Sequence, residues 1–201
     1  MLDPKTNYYR YRIFYSKTGS SRFIGHLDLQ SFFNKAFKRA NLPVAYSQGF
    51  NPHQLLSIAL PLSMGMSGKN EIAEIYLTLE IDTKILVEKL NKQMPQGMEI
   101  LNAELVPSVG KSAAGLVNAA KYLIRFPSTK FDENIIKSLE TTDFADKIIK
   151  IQIQDDIIAA TLYAGSAKNL KPQVLAQYII DSLNLDIEPK DIGYERTQIL
   201  I

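Results

Sequence analysis

The sequence has no cysteine and only two histidines in 201 residues. The missing thiols exclude disulfides, thiolate zinc sites, a cysteine nucleophile and an iron–sulfur cluster held by this chain alone. With His26 and His53 as the only imidazoles, a transition-metal site would need carboxylates as well, so neither metal nor cofactor is expected. No apolar run approaches the roughly 20 residues that a bilayer-spanning helix requires. The N-terminal MLDPKTNYYRYR also lacks the apolar stretch of a secretory signal, and a cytoplasmic location without membrane contact is the expectation. No Walker-type phosphate loop, GxSxG elbow or HExxH pair occurs.

What is there is an ordinary globular composition, 46% hydrophobic and 22% charged, with its charge unevenly placed. Residues 1–69 carry nine Lys/Arg against Asp3 and Asp28, a balance of +7, while residues 70–201 carry fourteen Lys/Arg against nineteen Asp/Glu, a balance of −5. A basic half of this kind suits a polyanion, and it equally suits a solvated face.

Apolar periodicity divides the chain into two similar halves. Tyr8 to Tyr15 alternates as a strand, with Arg10 and Arg12 on the side opposite Tyr9, Tyr11, Ile13 and Tyr15. Leu29, Phe32, Phe33, Ala36, Phe37 and Ala40 then recur at helical spacing, with Gly25 as N-cap, Asp28 completing a reduced capping box, and Asn41 and Pro43 as the stop. A short strand at 44–48, a strand at 54–62 and a strand at 71–80 follow. A helix from Asp82 or Thr83 to about Gln93 and a strand at 98–106 complete the half. The stretch 107–120 opens with Pro, Ser and Gly and reads as a linker, including a short helix. The second half repeats the order: a strand at 121–126, a helix at about 131–140, a hairpin of 148–153 and 157–163, a helix from Pro172 to about Asn184, and a strand at 192–200. The expected fold class is α+β, as two tandem ferredoxin-like βαββαβ domains at 1–106 and 121–201; a single mixed α+β domain is the alternative.

The residues with chemical potential concentrate between Lys17 and His53. Lys35, Lys38 and Arg39 share one side of the first helix, and Lys17 and Arg22 just before it are expected to join them in one cationic patch. Tyr46, Gln48, Asn51 and His53 surround Gly49 and Pro52, a turn able to stack on and hydrogen-bond an unpaired base, though also ordinary turn chemistry. His26, in the first helical turn, is a candidate general base because the helix dipole favours a neutral ring there; a buried structural histidine is the other reading. The aromatic signature of an RNA-recognition motif is missing from strand 71–80, and a lysine pair at Lys168 and Lys171 precedes a helix in the second half.

From Tyr11 to Met66 the chain carries SKTG, RFIGHLDL, a helix ending in Lys38-Arg39, and LPVAYSQGFNPH. This stretch resembles the bacterial radical SAM-linked protein family. Gln54-Leu55 stands where that family commonly has Pro-Lys, which removes a cation beside the loop, and Gly25 stands where a serine cap is common. The resemblance implies a detached partner domain of a radical SAM protein of the cobalamin-binding type, which occurs near ribonucleases of the E/G class. The element order is also similar to that of the RAMP-type CRISPR repeat-processing endoribonucleases, which are tandem ferredoxin-like RNA binders. The leading expectation is a non-catalytic RNA-binding module for tRNA or rRNA that acts with a radical SAM enzyme. In it Lys17, Arg22, Lys35, Lys38 and Arg39 meet phosphates, and Tyr46, Gln48, Asn51 and His53 meet a base. The alternatives are a metal-independent endoribonuclease with His26 or His53 as base toward a ribose hydroxyl, and a protein-only adaptor of the radical SAM enzyme.

Overall fold

A computed structural model describes residues 7–132 and 134–201. Residues 1–6 of the expected first domain and Glu133 of the expected helix 131–140 lie outside them. The chain divides into two compact units, Met1–Leu116 and Val117–Ile201, each of mixed α+β structure with antiparallel pairing. The division falls after residue 116, so that 107–116 belongs to the first unit.

In that unit β1 (Tyr9–Lys17) is central, flanked by β3 (Ser67–Leu77) and β4 (Met98–Val106), and the short β2 (Leu56–Ile58) adds to the other side of β3. The spatial order is therefore β4-β1-β3-β2. The alternation expected for β1 holds and runs two residues further. Tyr11, Ile13, Tyr15 and Lys17 are buried together with the apolar stripe of α1 (His26–Arg39) and with α2 (Thr83–Asn91). Phe33 anchors this core, edge-on to Tyr15 at 5.2 Å and stacked with Phe37 at 5.8 Å between centroids. Each such fully buried phenylalanine contributes roughly 1.5–3 kcal/mol by area. The Tyr11 hydroxyl donates to Ile81 O at 2.7 Å and accepts from Ile81 N at 2.8 Å, and burial raises this phenol above its ordinary value.

The helix ends form as their residues dictate, with one exception. Asp82 caps α2 by accepting from the amides of Lys84 and Ile85. Asn41, at φ 51, closes α1 in a Schellman motif, its amide bonded to Lys38 O and that of Leu42 to Phe37 O. At Gly25 no side-chain cap bond forms, so the expected capping box is not made, and Asp28 contributes only its charge to the first turn.

The turn between α2 and β4 is locked to the 3-10 turn Gly19–Phe23 that follows β1. Gly97 O accepts from Thr18 N at 2.7 Å and Gln96 O from Ser21 Oγ at 2.7 Å. Gly97 sits at φ +85, and a Cβ there would lie 2.4 Å from Thr18 O. Gly97→Ala is therefore expected to destabilise the protein by about 2 kcal/mol or more, through left-handed strain and a backbone clash, read as a lower urea midpoint.

Within the stretch expected as a linker, where the short helix forms and the division between units falls, residues 110–113 lie as a strap on the sheet face opposite the helices. Arg10 reaches the carbonyls of Gly110 (3.5 Å) and Lys111 (3.3 Å), and Glu74 Oε2 accepts from the amide of Ala113, the first residue of the four-residue α3 (Ala113–Leu116), at 3.0 Å. Glu74 Oε1 also holds Arg12 at 3.0 Å.

The second unit has β5 (Ala119–Arg125), α4 (Asn134–Leu139), β6 (Ile148–Gln154), β7 (Ile157–Tyr163), α5 (Pro172–Leu183) and β8 (Gly193–Leu200), with strand order β8-β5-β7-β6. The expected hairpin of β6 and β7 turns at Asp155, which has φ 53, and α5 begins with Pro172 and ends at a left-handed Asn184.

Candidate functional site

The sequence expectation of a strand at 44–48 gives way to a protruding loop. Val44 makes a single bridge to Leu77, Ala45 N bonds Tyr76 O at 2.8 Å, and the chain then leaves the edge of the sheet. It returns at Leu55, whose amide bonds Ala45 O at 2.9 Å and whose carbonyl takes Tyr76 N at 3.2 Å. Residues 46–54 are thus an excursion pinched off at its base, and the strand expected at 54–62 contracts to β2.

Side chains brace this excursion from within. Tyr46 bridges to Gln54, whose Nε2 donates to the Tyr46 hydroxyl at 3.3 Å. The buried Ser47 hydroxyl accepts from the His53 amide at 3.1 Å and meets His53 Nδ1 at 2.8 Å. These two contacts orient the ring of His53, which is itself exposed. Gln48, Phe50, Asn51 and Pro52 are exposed at the tip, and Gly49 there adopts φ +127. Buried Gln54 Oε1 has no partner among the described residues.

Phe50 is the most exposed large apolar side chain of the described residues. In the sequence an aromatic between Gly49 and Asn51 reads as turn filling and does not stand out. The available signal was that a turn bounded by glycine and proline offers no strand face to bury it.

The expected cationic patch divides. Lys35 and Lys38 are exposed on α1 and take part in no ion pair among the described residues. Arg39 is exposed at the last turn, where its Nε donates to Gln93 Oε1 at 3.1 Å. Lys17 is a correction: it is 1% exposed, and its Nζ donates to Ile24 O at 2.7 Å, so it supports the turn into α1 from within. Arg22 is exposed at the opposite end of the helix from Arg39, with its guanidinium 4.8 Å from the Phe23 ring centre.

The two histidines are not brought together. His26, exposed, opens α1 beside the Lys17 and Gly68 end of the sheet, whereas the pinch holding His53 lies at the Tyr9 and Leu77 end. The 14 residues of α1 between these ends span about 21 Å. Around the N-terminus of α1, Phe23, Leu27 and Met64 form a second group of exposed apolar side chains, where Gly65 N bonds Arg22 O at 3.0 Å.

In the second unit Lys168 does not stand free for phosphate. Its Nζ pairs with Asp146 at 2.6 Å and lies 5.1 Å from the Tyr163 ring centre, and this lysine holds the Asp146 carboxyl below its ordinary value. Lys171 is exposed just before α5.

Among the described residues, no group of three or more His, Asp or Glu is placed to hold a metal ion, and no helix is long and apolar enough to cross a membrane. No curated protein matches the chain. Residues 10–179 match the model of a family described as an uncharacterized protein conserved in bacteria, DUF2344. That match takes in β1, α1, the whole pinched loop and most of the second unit, and the chain belongs to the DUF2344 family.

Proposed function

We propose that this protein is a non-catalytic RNA-binding module whose contacts lie on the first unit, at the pinched loop and the nearby C-terminal half of α1. The observation that carries this reading is the loop itself. Nine residues are braced by their own side chains, and they present a phenylalanine, a tyrosine, amides and an imidazole to solvent, a short connection away from Lys35, Lys38 and Arg39. Aromatic faces, hydrogen-bonding edges and nearby cations are the set that single-stranded nucleic acid requires. We read both units as ferredoxin-like domains, supported by the recurrence of one strand order, last-first-third-second, with two helices placed between the strands of each. The likeness to RAMP-type RNA binders belongs to that reading. RNA is assigned to the loop and not to the sheet face because residues 110–113 and Glu74 occupy that face in the first unit.

The test is binding of total cellular RNA across a salt series. The logarithm of affinity should fall linearly with the logarithm of salt concentration. No binding at 50 mM salt would overturn the reading.

The radical SAM partnership belongs to this proposal as well, with a tRNA or rRNA as the shared substrate. A second reading, a protein-only adaptor of such an enzyme, is favoured by the exposed Phe23, Leu27 and Met64 group at the other end of α1. Co-purification with a partner that survives nuclease and is lost in Leu27→Asp, in a chain that binds no RNA, would favour the adaptor alone.

A further inference from the structure

We infer that the pinched loop takes an unpaired base by stacking on Phe50, so that the ligand is single-stranded RNA or the unpaired segment of a folded RNA, not a duplex; this rests on the RNA-binding reading above. Phe50 is fully exposed, and exposure of a whole aromatic side chain does nothing for folding. It is held at the tip of a loop whose two arms are tied at three levels: Ala45 with Leu55, Tyr46 with Gln54, and Ser47 with His53. A ring on a braced tip loses little conformational freedom when a flat partner covers it, which is the condition for a stacking platform.

The polar groups around it fit the same ligand. The exposed imidazole of His53 offers a ring nitrogen, and Gln48 and Asn51, both exposed on the tip, offer amide donors and acceptors to a base edge. In an A-form duplex the base faces are stacked away and the major groove is too narrow for such a tip, so these groups would meet only the backbone. In a single strand both the face and the edge of the base are open.

The experiment compares full-length protein binding to a fluorescein-labelled 20-nucleotide RNA as a single strand and as a blunt duplex, at several salt concentrations. Wild type is expected to prefer the single strand. Phe50→Ala should lower single-strand affinity by roughly five- to a hundred-fold at every salt concentration without changing the salt slope, and Phe50→Trp should restore it. Because Phe50 touches no core, the thermal midpoint of all three proteins should agree, which separates lost binding from lost fold. Equal or tighter duplex binding, or a Phe50→Ala variant that binds RNA as wild type does, would overturn this inference and leave the RNA-binding reading standing. Absence of binding to either RNA would overturn that reading and this inference with it. A Phe50→Ala variant that keeps RNA affinity but loses a nuclease-resistant protein partner would assign Phe50 to protein docking and overturn the stacking role.

Discussion

Glu74→Ala is expected to destabilise the first unit by about 3–5 kcal/mol, the range for breaking a buried ion pair by removing one partner. Glu74 is 2% exposed and serves two groups at once, Arg12 through Oε1 and the amide of Ala113 through Oε2. Truncation leaves the guanidinium of Arg12, which is itself only 13% exposed, without its counter-charge, and leaves a buried backbone N–H without an acceptor. Glu74→Gln retains one acceptor and the side-chain volume, so its loss should be smaller. Urea unfolding measures the difference. A second readout follows the strap: once Ala113 is released, trypsin should cut after exposed Lys111 faster than in wild type. An unchanged midpoint together with an unchanged cleavage rate would show that Glu74 does not hold the strap.

The second large effect is on binding. Replacing Lys35, Lys38 and Arg39 together by alanine is expected to lower affinity for single-stranded RNA about 100-fold at 0.1 M salt and to flatten the salt slope by about 2, because three phosphate contacts contribute roughly 0.7 each to the slope for single strands. All three side chains are exposed, so the fold should tolerate the change, which removes the contacts of Arg39 with Gln93 and with the Phe32 ring. This signature differs in kind from that of Phe50→Ala, which shifts affinity and leaves the slope. Wild-type affinity in the triple variant would remove α1 from the interface. Lys17→Ala is not an equivalent probe, since that ammonium is buried against Ile24 O and its loss acts on the fold.

Much of the architecture was legible because it rests on local pattern. The alternation from Tyr9 to Tyr15, the Leu29 to Ala40 stripe, the Met98–Val106 strand and the hairpin around Asp155 each carry their own periodicity and stop signals. Three features were not legible, and each depends on a partner distant in sequence or on a bond that composition does not announce. Glu74 looked like an outward strand residue until a segment 39 positions later covered it. Lys17 looked like a surface cation in a turn, and its burial rests on partners such as the carbonyl of Ile24 that the sequence does not announce. The strand expected at 44–48 was displaced by the Ser47 to His53 bonds, which no β-propensity scale registers. At the candidate site the residue types were legible and their grouping was not: His26 and Arg22 fell to one end of α1, and Tyr46, Gln48, Asn51 and His53 to the other.

Because Ala45 and Leu55 are bonded to each other, the register of the edge strand is indifferent to what lies between them. Residues 46–54 behave as a cassette: a tip of different length or composition can be exchanged there without shifting a single rung of the neighbouring ladder. On the RNA-binding proposal, what is recognised can therefore change independently of how the chain folds, with the pinch as the seam between the two.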